Sequence, residues 1–291
     1  MYQNNGPVKK NNHVCPRCLL REWITSENGR KGVHVYEIPK KKHSFSTAIG
    51  SRAFSFAIKE FIYVPEINGQ RNNSLEDWLS GFEGQLASFI KKIKNGKEGE
   101  QLIKGTDLND VMKKWNKLLH AIFSLNHRNA HDLRLIKKYL DNNPHHKENI
   151  GVEDTSNTEL LVLQNLVHST MDEAIEYSMV DFMIKYNPSG NLLLPDRPLF
   201  FEDKTGHLIF SLSPYHLVAL TKSSGVVPTY TKQNLPDSMV DSYNKIIAGR
   251  ARDWMVSTKE SLLIKYAPLM KAQDETEIPF YKEIKYPNKD V

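Results

Sequence analysis

Cysteine is nearly missing from this 291-residue chain: there are two, Cys15 and Cys18, three residues apart. Two are too few for a disulfide framework, so stability must come from a packed core, and the pair fits a reducing compartment. Long apolar runs are missing as well. No stretch approaches the roughly 20 apolar residues that span a bilayer, and the opening MYQNNGPVKKNN has no apolar segment after its lysines. Both absences argue against a membrane span or a secretory leader and lead to the expectation of a cytoplasmic protein. No internal repeat and no low-complexity tract is visible.

The composition that remains is ordinary for a globular protein, with 40% hydrophobic and 25% charged residues. A chain of this length can bury a sizeable core as one large domain or two small ones. The net charge of +5 is mildly basic. Lysines bunch at Lys40, Lys41 and Lys42, at Lys91, Lys92, Lys94 and Lys97, and at the pairs Lys113-Lys114 and Lys137-Lys138. Such bunches are solvated faces unless the fold gathers them on one side. In that case Lys40, Lys41, Lys42, Lys91 and Lys92 are the candidates for a nucleic-acid surface.

Residues 1–12 read as a flexible arm, 13–270 as one domain, and 271–291 as a charged tail. Gly32 to Ile38 alternates as a strand should. Ala48 to Tyr63 carries an apolar pattern of helical spacing. Ser74 opens a helix in which Leu75, Trp78, Leu79, Phe82, Leu86, Phe89, Ile90 and Ile93 keep the 3.6-residue period. Asp107 to Leu140 is a second helical region. Asp141 to Asn157 is polar and contains Pro144, marking a break between subregions. Thr158 to Tyr186 reads as a third long helix, and Pro236 opens a last helix pair running to Met270. Between them, Asn191 to Leu220 is the densest run of strand-forming residues, cut by Pro195-Asp196, Asp203 to Gly206 and Ser213-Pro214. The expected fold is therefore α+β, mostly helical, with one small antiparallel sheet at about residues 191–221.

Four short constellations suggest chemistry. Cys15-x-x-Cys18 with His13 is half of a zinc site, which His127 and His131 would have to complete; apolar packing of the two cysteines is the competing reading. His127-Arg128-Asn129-Ala130-His131 places arginine and histidine together, a pair able to cleave RNA without metal. Its opening resembles the motif of the helical HEPN ribonucleases, but Arg134 and Leu135 stand where that motif has its histidine; a helix end capped by polar residues is the alternative. Pro195-Asp196 with Glu202-Asp203-Lys204 spells a PD-(D/E)xK nuclease signature, in which two carboxylates would hold Mg²⁺. The same Glu202 to Gly206 also reads as a plain hairpin turn. His145-His146, in the polar loop, reads as solvated.

The ordered landmarks resemble a bacterial family, domain of unknown function 4238. They begin with Asn11, His13, Pro16, Arg17, Leu20 and Trp23, then a strand at Val33 to Ile38 and the Ile62-Tyr63 step. Leu75, Glu76, Leu79 and Glu83 follow on one helix, and Arg128 and Arg134 on the next. Pro195-Asp196-Arg197-Pro198, Ser211-Leu212-Ser213-Pro214 and Asn244 complete the series. Cys15 and Cys18 stand where the family has an aliphatic and an aromatic residue. The resemblance implies a bacterial protein associated with anti-phage defence, and with it a toxin-like effector acting on nucleic acid, RNA foremost. In that reading His13 is the general acid/base, Arg17 and Arg128 clamp phosphate, and Glu83 and Asp196 orient a base or hold a cation, with Mg²⁺ the cofactor in view. All five would converge at the mouth of the sheet. A buried ion-pair network fixing helices on the sheet is the competing role for the same residues. The alternative function is a non-catalytic sensor that binds a phage protein or nucleic acid.

Overall fold

Two five-stranded sheets, not one small one, carry the helices. The computed structural model describes residues 7–50, 53–97, 103–144, 157–178, 180–202, 206–222 and 230–270. Strand β1 (Asn11–His13) pairs with β5 (Ile58–Glu60), so the last residues of the expected arm are held by the fold. Helix α1 (Arg17–Leu20) leads to β2 (Thr25–Glu27), β3 (Arg30–Glu37) and β4 (Lys42–Thr47). A two-residue hairpin of β6 (Glu66–Ile67) and β7 (Gln70–Arg71) precedes α2 (Ser74–Lys94). Three further helices follow: α3 (Leu108–His127), α4 (Ala130–Asn142) and α5 (Thr158–Glu176).

The first large sheet is built from β8 (Val180–Tyr186), β10 (Phe200–Glu202), β11 (His207–Ser213), β12 (His216–Lys222) and β13 (Tyr230–Asn234). Its order is β10-β11-β12-β8-β13, antiparallel except that β13 runs parallel to β8. The second contains β9 (Leu194–Pro195), and β14 (Trp254–Ser257), which follows α6 (Asp237–Arg250) and precedes α7 (Glu260–Tyr266). Here β3 is the hub. One of its edges pairs with β4; the other is shared end to end, with β2 opposite Arg30–Gly32 and β14 opposite His34–Glu37.

The expectation of one small sheet at residues 191–221 is thus corrected, among the described residues, to four sheets, two large and two of paired short strands. That stretch is itself divided, because Leu194–Pro195 joins the second sheet and the later strands the first. The expected third helix overran: Val180, Phe182 and Ile184 are buried in alternation, and β8 lies between β12 and β13. A period of two placed directly after a helix is hidden by the apolar content on either side. Ala48 to Tyr63 is not a helix either. Phe54 and Phe61 have φ of 56° and 53°, in the left-handed region, which a right-handed helix cannot contain. The last helix pair is split by β14. Ser74 begins α2 inside the helix, its amide donating to the Asn72 side chain at 2.8 Å.

A large core lies under α2, α3 and α5 against the first sheet, with Trp115, Phe89 and Phe182 in ring contact. A smaller one fills the space between α6, α7 and the second sheet, around Leu193, Ile247 and Met255. Buried Asn244 of α6 holds the chain that leads into β9. Its side chain accepts from the Leu193 amide at 3.1 Å and donates to the Asn191 carbonyl at 2.8 Å, satisfying backbone that has no strand partner there. No helix among the described residues is long and apolar enough to cross a membrane.

Gly32 on β3 is forced by close approach: a Cβ there would lie 2.4 Å from the Ser46 carbonyl and 2.6 Å from the Phe45 ring. Gly32→Ala should therefore cost about 1–3 kcal/mol. The check is a lowered urea midpoint at unchanged m value.

Candidate functional site

The chain between α3 and α4 is where polar groups enter the core. Arg128 ends α3, its amide donating to the Ser124 carbonyl, and its side chain is only 2% exposed. One guanidinium nitrogen donates to Glu83 Oε1 at 2.9 Å, and another to the His13 carbonyl at 2.8 Å. Tyr63 lies with its ring 5.5 Å from the guanidinium carbon and donates its hydroxyl to the Arg128 carbonyl at 2.5 Å. Burial acts against the charge, but Glu83 and Tyr63 outweigh it and keep the guanidinium protonated. Glu76, two turns before Glu83 on α2, is pushed up to about 7 by burial, with Arg128 opposing.

His13 stands half-buried beside this pair on β1. Burial lowers its pKa, as does the neighbouring charge of Arg17, while Glu83 opposes and Arg128 adds to the lowering. The imidazole is therefore neutral at neutral pH, with Nε2 buried and without a hydrogen-bond partner among the described residues. Arg17 is exposed. The structure thus brings His13, Arg17, Glu83 and Arg128 together, at the α3–α4 junction rather than at a sheet mouth.

Asp196 belongs to an adjoining node, joined through the next residue. Asn129 caps α4, its Oδ1 accepting from the amides of His131 at 2.8 Å and Asp132 at 3.1 Å. Its Nδ2 donates to Asp196 Oδ2 at 2.5 Å. Asp196, 3% exposed, also accepts from the amides of Arg252 and Asp253, both at 3.0 Å. Burial and then the charge of Asp253 push its carboxyl up, against three donors that favour the anion, to about 6. This geometry makes Asp196 a clasp between the start of α4 and the loop before β14.

Around the clasp lies a ring of charged side chains, of which Arg134 and Arg197 stood in the sequence only as family landmarks and His131 as part of the His127–His131 run. Arg134 of α4 contacts Asp253 at 3.3 Å and is 55% exposed; Arg197 pairs with Asp132. Buried His131 sits among them. Burial lowers its pKa, Asp253 opposes, and Arg197, Arg134 and Arg252 lower it further. The arrangement can hold a neutral imidazole beside several fixed positive charges, which suits a phosphate bearing its own negative charge. The signal in the sequence was the i,i+3 spacing of His131 and Arg134 together with the Arg250-x-Arg252-Asp253 run. Neither names a partner, because the direct contact between the two segments, Arg134 to Asp253, joins residues 119 positions apart.

The other short constellations fare differently. His127 is held by Glu173 of α5 at 3.0 Å, and the helix break at Arg128 and Asn129 separates it from His131, so the two do not complete a zinc site with the cysteines. Burial pushes the Cys15 thiol well up and that of Cys18 to about 12, which keeps both protonated. Asp196 directly follows β9 of the second sheet, whereas Glu202 ends β10 of the first and pairs with His207 across a hairpin. Asp203 and Lys204 of that signature, and His145-His146, lie outside the described residues. Lys40 and Lys41 lie in the β3–β4 turn and Lys42 begins β4; Lys40 pairs with Glu37 at 2.5 Å. Lys91 and Lys92 are in the last turn of α2, with Lys91 in a shallow cleft that also contains Arg21, Glu22 and Lys94. The candidate lysines form two groups on different elements.

The raised Asp196 pKa has a sign. The folded state binds that proton more tightly than the unfolded chain, so stability owed to this group is present below about pH 4 and is lost as pH rises to about 6. Asp196→Asn cannot titrate, and it turns one acceptor into a donor facing backbone amides, a cost of about 1–3 kcal/mol. The stability gap between the parent and Asp196→Asn should narrow by on the order of 3 kcal/mol between pH 4 and 7. Urea unfolding of both proteins at each pH checks this.

Searches of curated proteins and of solved structures return no match to this chain. A family profile does match, covering residues 11–261, a span that takes in the Arg128 pair, the Asp196 clasp and the arginine ring. The chain belongs to the family described as Protein of unknown function (DUF4238).

Proposed function

We propose that this protein is a bacterial anti-phage defence effector of the cytoplasm, acting as a toxin-like ribonuclease, with the arginine ring around His131 as its reactive centre. The observation that carries the chemistry is the neutral imidazole of His131 held among Arg134, Arg197 and Arg252. The defence setting rests on the family resemblance alone. In the reaction, His131 takes the proton of an RNA 2′-hydroxyl as its oxygen attacks the adjacent phosphorus. The bond to the 5′-oxygen then breaks, and that oxygen takes up a proton from solvent. The guanidiniums stabilise the extra negative charge of the phosphorane. Asp196 and Arg128 have a positioning part here, since both Asp196 carboxylate oxygens and two of the three Arg128 guanidinium nitrogens are engaged in holding the α3–α4 junction. His13, with Arg17 exposed beside it, is the second imidazole available for proton transfer.

A second reading, a non-catalytic module that binds nucleic acid, is favoured by the pairing of Arg134 with Asp253 and of Arg197 with Asp132. Paired guanidiniums retain a phosphate without stabilising a transition state as well as unpaired ones do.

The test is incubation of the full chain with labelled total RNA and with plasmid DNA, in Mg²⁺ and in EDTA. Cleavage of RNA that survives EDTA is expected, reduced about 100-fold or more in His131→Asn and reduced as well in the exposed variant Arg134→Ala. Cleavage that requires Mg²⁺, or that His131→Asn leaves intact, contradicts the reading. Retention of RNA without cleavage would support the binding module.

A further inference from the structure

On the opposite end of β14 from Asp253, three side chains meet that the arginine ring does not use. In the β3–β4 register His34 lies opposite Phe45 and Tyr36 opposite His43, which puts His34 and His43 on the same face, diagonally adjacent. Ser257, the last residue of β14, lies opposite His34 on the other edge of β3. Only two residues then separate it from Glu260, the first of α7, so the short connection delivers that carboxylate to the hairpin. His34 Nδ1 and His43 Nε2 are 3.2 Å apart, and His43 Nδ1 is 2.9 Å from Glu260 Oε1. One ligand atom from each residue can be chosen so that all lie within 4.8 Å of one another.

We propose that His34, His43 and Glu260 form a site for a borderline transition-metal cation, Zn²⁺ being the representative, with a fourth position open to solvent. The separation of the two imidazole nitrogens is the first argument. Two ligands on a tetrahedral ion with bonds of 2.0–2.1 Å are roughly 3.3 Å apart, close to the observed spacing. The donor set is the second. Two imidazoles and one carboxylate suit Zn²⁺, Co²⁺ or Ni²⁺, whereas Mg²⁺ and Ca²⁺ favour all-oxygen shells. The third is orientation: the His34 ring is packed against Phe45 edge-on at 5.1 Å and against His43 at 5.4 Å, and His34 is 7% exposed. Glu260, by contrast, is 48% exposed, so the site is walled on one side and open on the other. Three protein ligands with an open position is the pattern of a site that holds water or a substrate group, rather than of a closed structural one.

Without a cation, the same three groups form a chain of hydrogen bonds, His34 Nδ1–H to His43 Nε2 and His43 Nδ1–H to Glu260. A cation would displace the proton between the imidazoles. Binding should therefore weaken as the pH falls and the imidazoles become protonated. This site stands apart from the arginine ring, and its test reads binding rather than RNA cleavage, so either proposal can fail without the other.

The experiment uses the full chain, stripped with chelator and titrated with Co²⁺. The expected result is the visible absorption of tetrahedral Co²⁺, saturating at one equivalent and abolished by added Zn²⁺. His43→Asn and Glu260→Gln should each weaken it about tenfold or more, with circular dichroism and melting temperature of the metal-free variants matching the parent. A Cys15→Ser/Cys18→Ser variant should keep the signal in full. Absence of the absorption at millimolar Co²⁺ would overturn the proposal and leave a metal-free hydrogen-bond chain. A signal unchanged in His43→Asn, or lost only with the cysteines, would overturn it too.

Discussion

A guanidinium that is 2% exposed constrains everything around it. Arg128 cannot sit in the core without an answering charge, because leaving such an ion unpaired costs several kcal/mol. Glu83 supplies the charge from α2, and the His13 carbonyl a second acceptor from β1. To meet both, the helix must stop, and α3 does stop there. Asn129 then begins α4 by capping it with one end of its side chain and holding Asp196 with the other. Two consecutive polar residues thus join α2, β1, α4, β9 and the loop before β14 at one point of the fold.

From that junction the second sheet sets the distances. Trp254–Ser257 is only four residues long, roughly 13 Å at strand rise. The residue before it, Asp253, faces Arg134 in the arginine ring, while the residue at its far end starts the short link to Glu260 and the two histidines. The backbone pairing of β14 with β3 fixes both ends together. The Ile38 amide donates to the Asp253 carbonyl at 3.0 Å, so the turn bearing Lys40 and Lys41 also approaches the ring side of the molecule.

Part of this was legible in the sequence. The periodic apolar residues after Ser74 specify an amphipathic helix, which the structure has as Ser74–Lys94, while the helical region expected over Asp107 to Leu140 is broken at Arg128 and Asn129 into α3 and α4. The hairpin of β11 and β12 follows from Ser213-Pro214 between two apolar runs. Family landmarks located His13, Glu83 and Arg128, which the structure brings into one cluster. Three things were hidden. The β8 strand directly follows a helix, and its alternation over seven residues is too short to stand out from the apolar residues before it. Ala48 to Tyr63 has helical spacing in its aromatics, yet Phe54 and Phe61 adopt left-handed backbone that only tertiary packing enforces. His131 and Asp253 are distant in sequence and meet through an aspartate whose role shows only when its three donors are in place. Local pattern specifies faces of helices; it does not specify which loops meet.

The most direct test of the account is a double-mutant cycle on the Arg128–Glu83 pair, using Arg128→Met, Glu83→Leu and the combination. Each single change leaves either a buried charge or an unanswered acceptor, and each should cost about 3–5 kcal/mol in urea unfolding. The double variant removes both and should cost clearly less than the sum, with a coupling on the order of 2–3 kcal/mol. Additive losses would contradict the account, since the helix break at Arg128 would then owe its stability to something other than this pair.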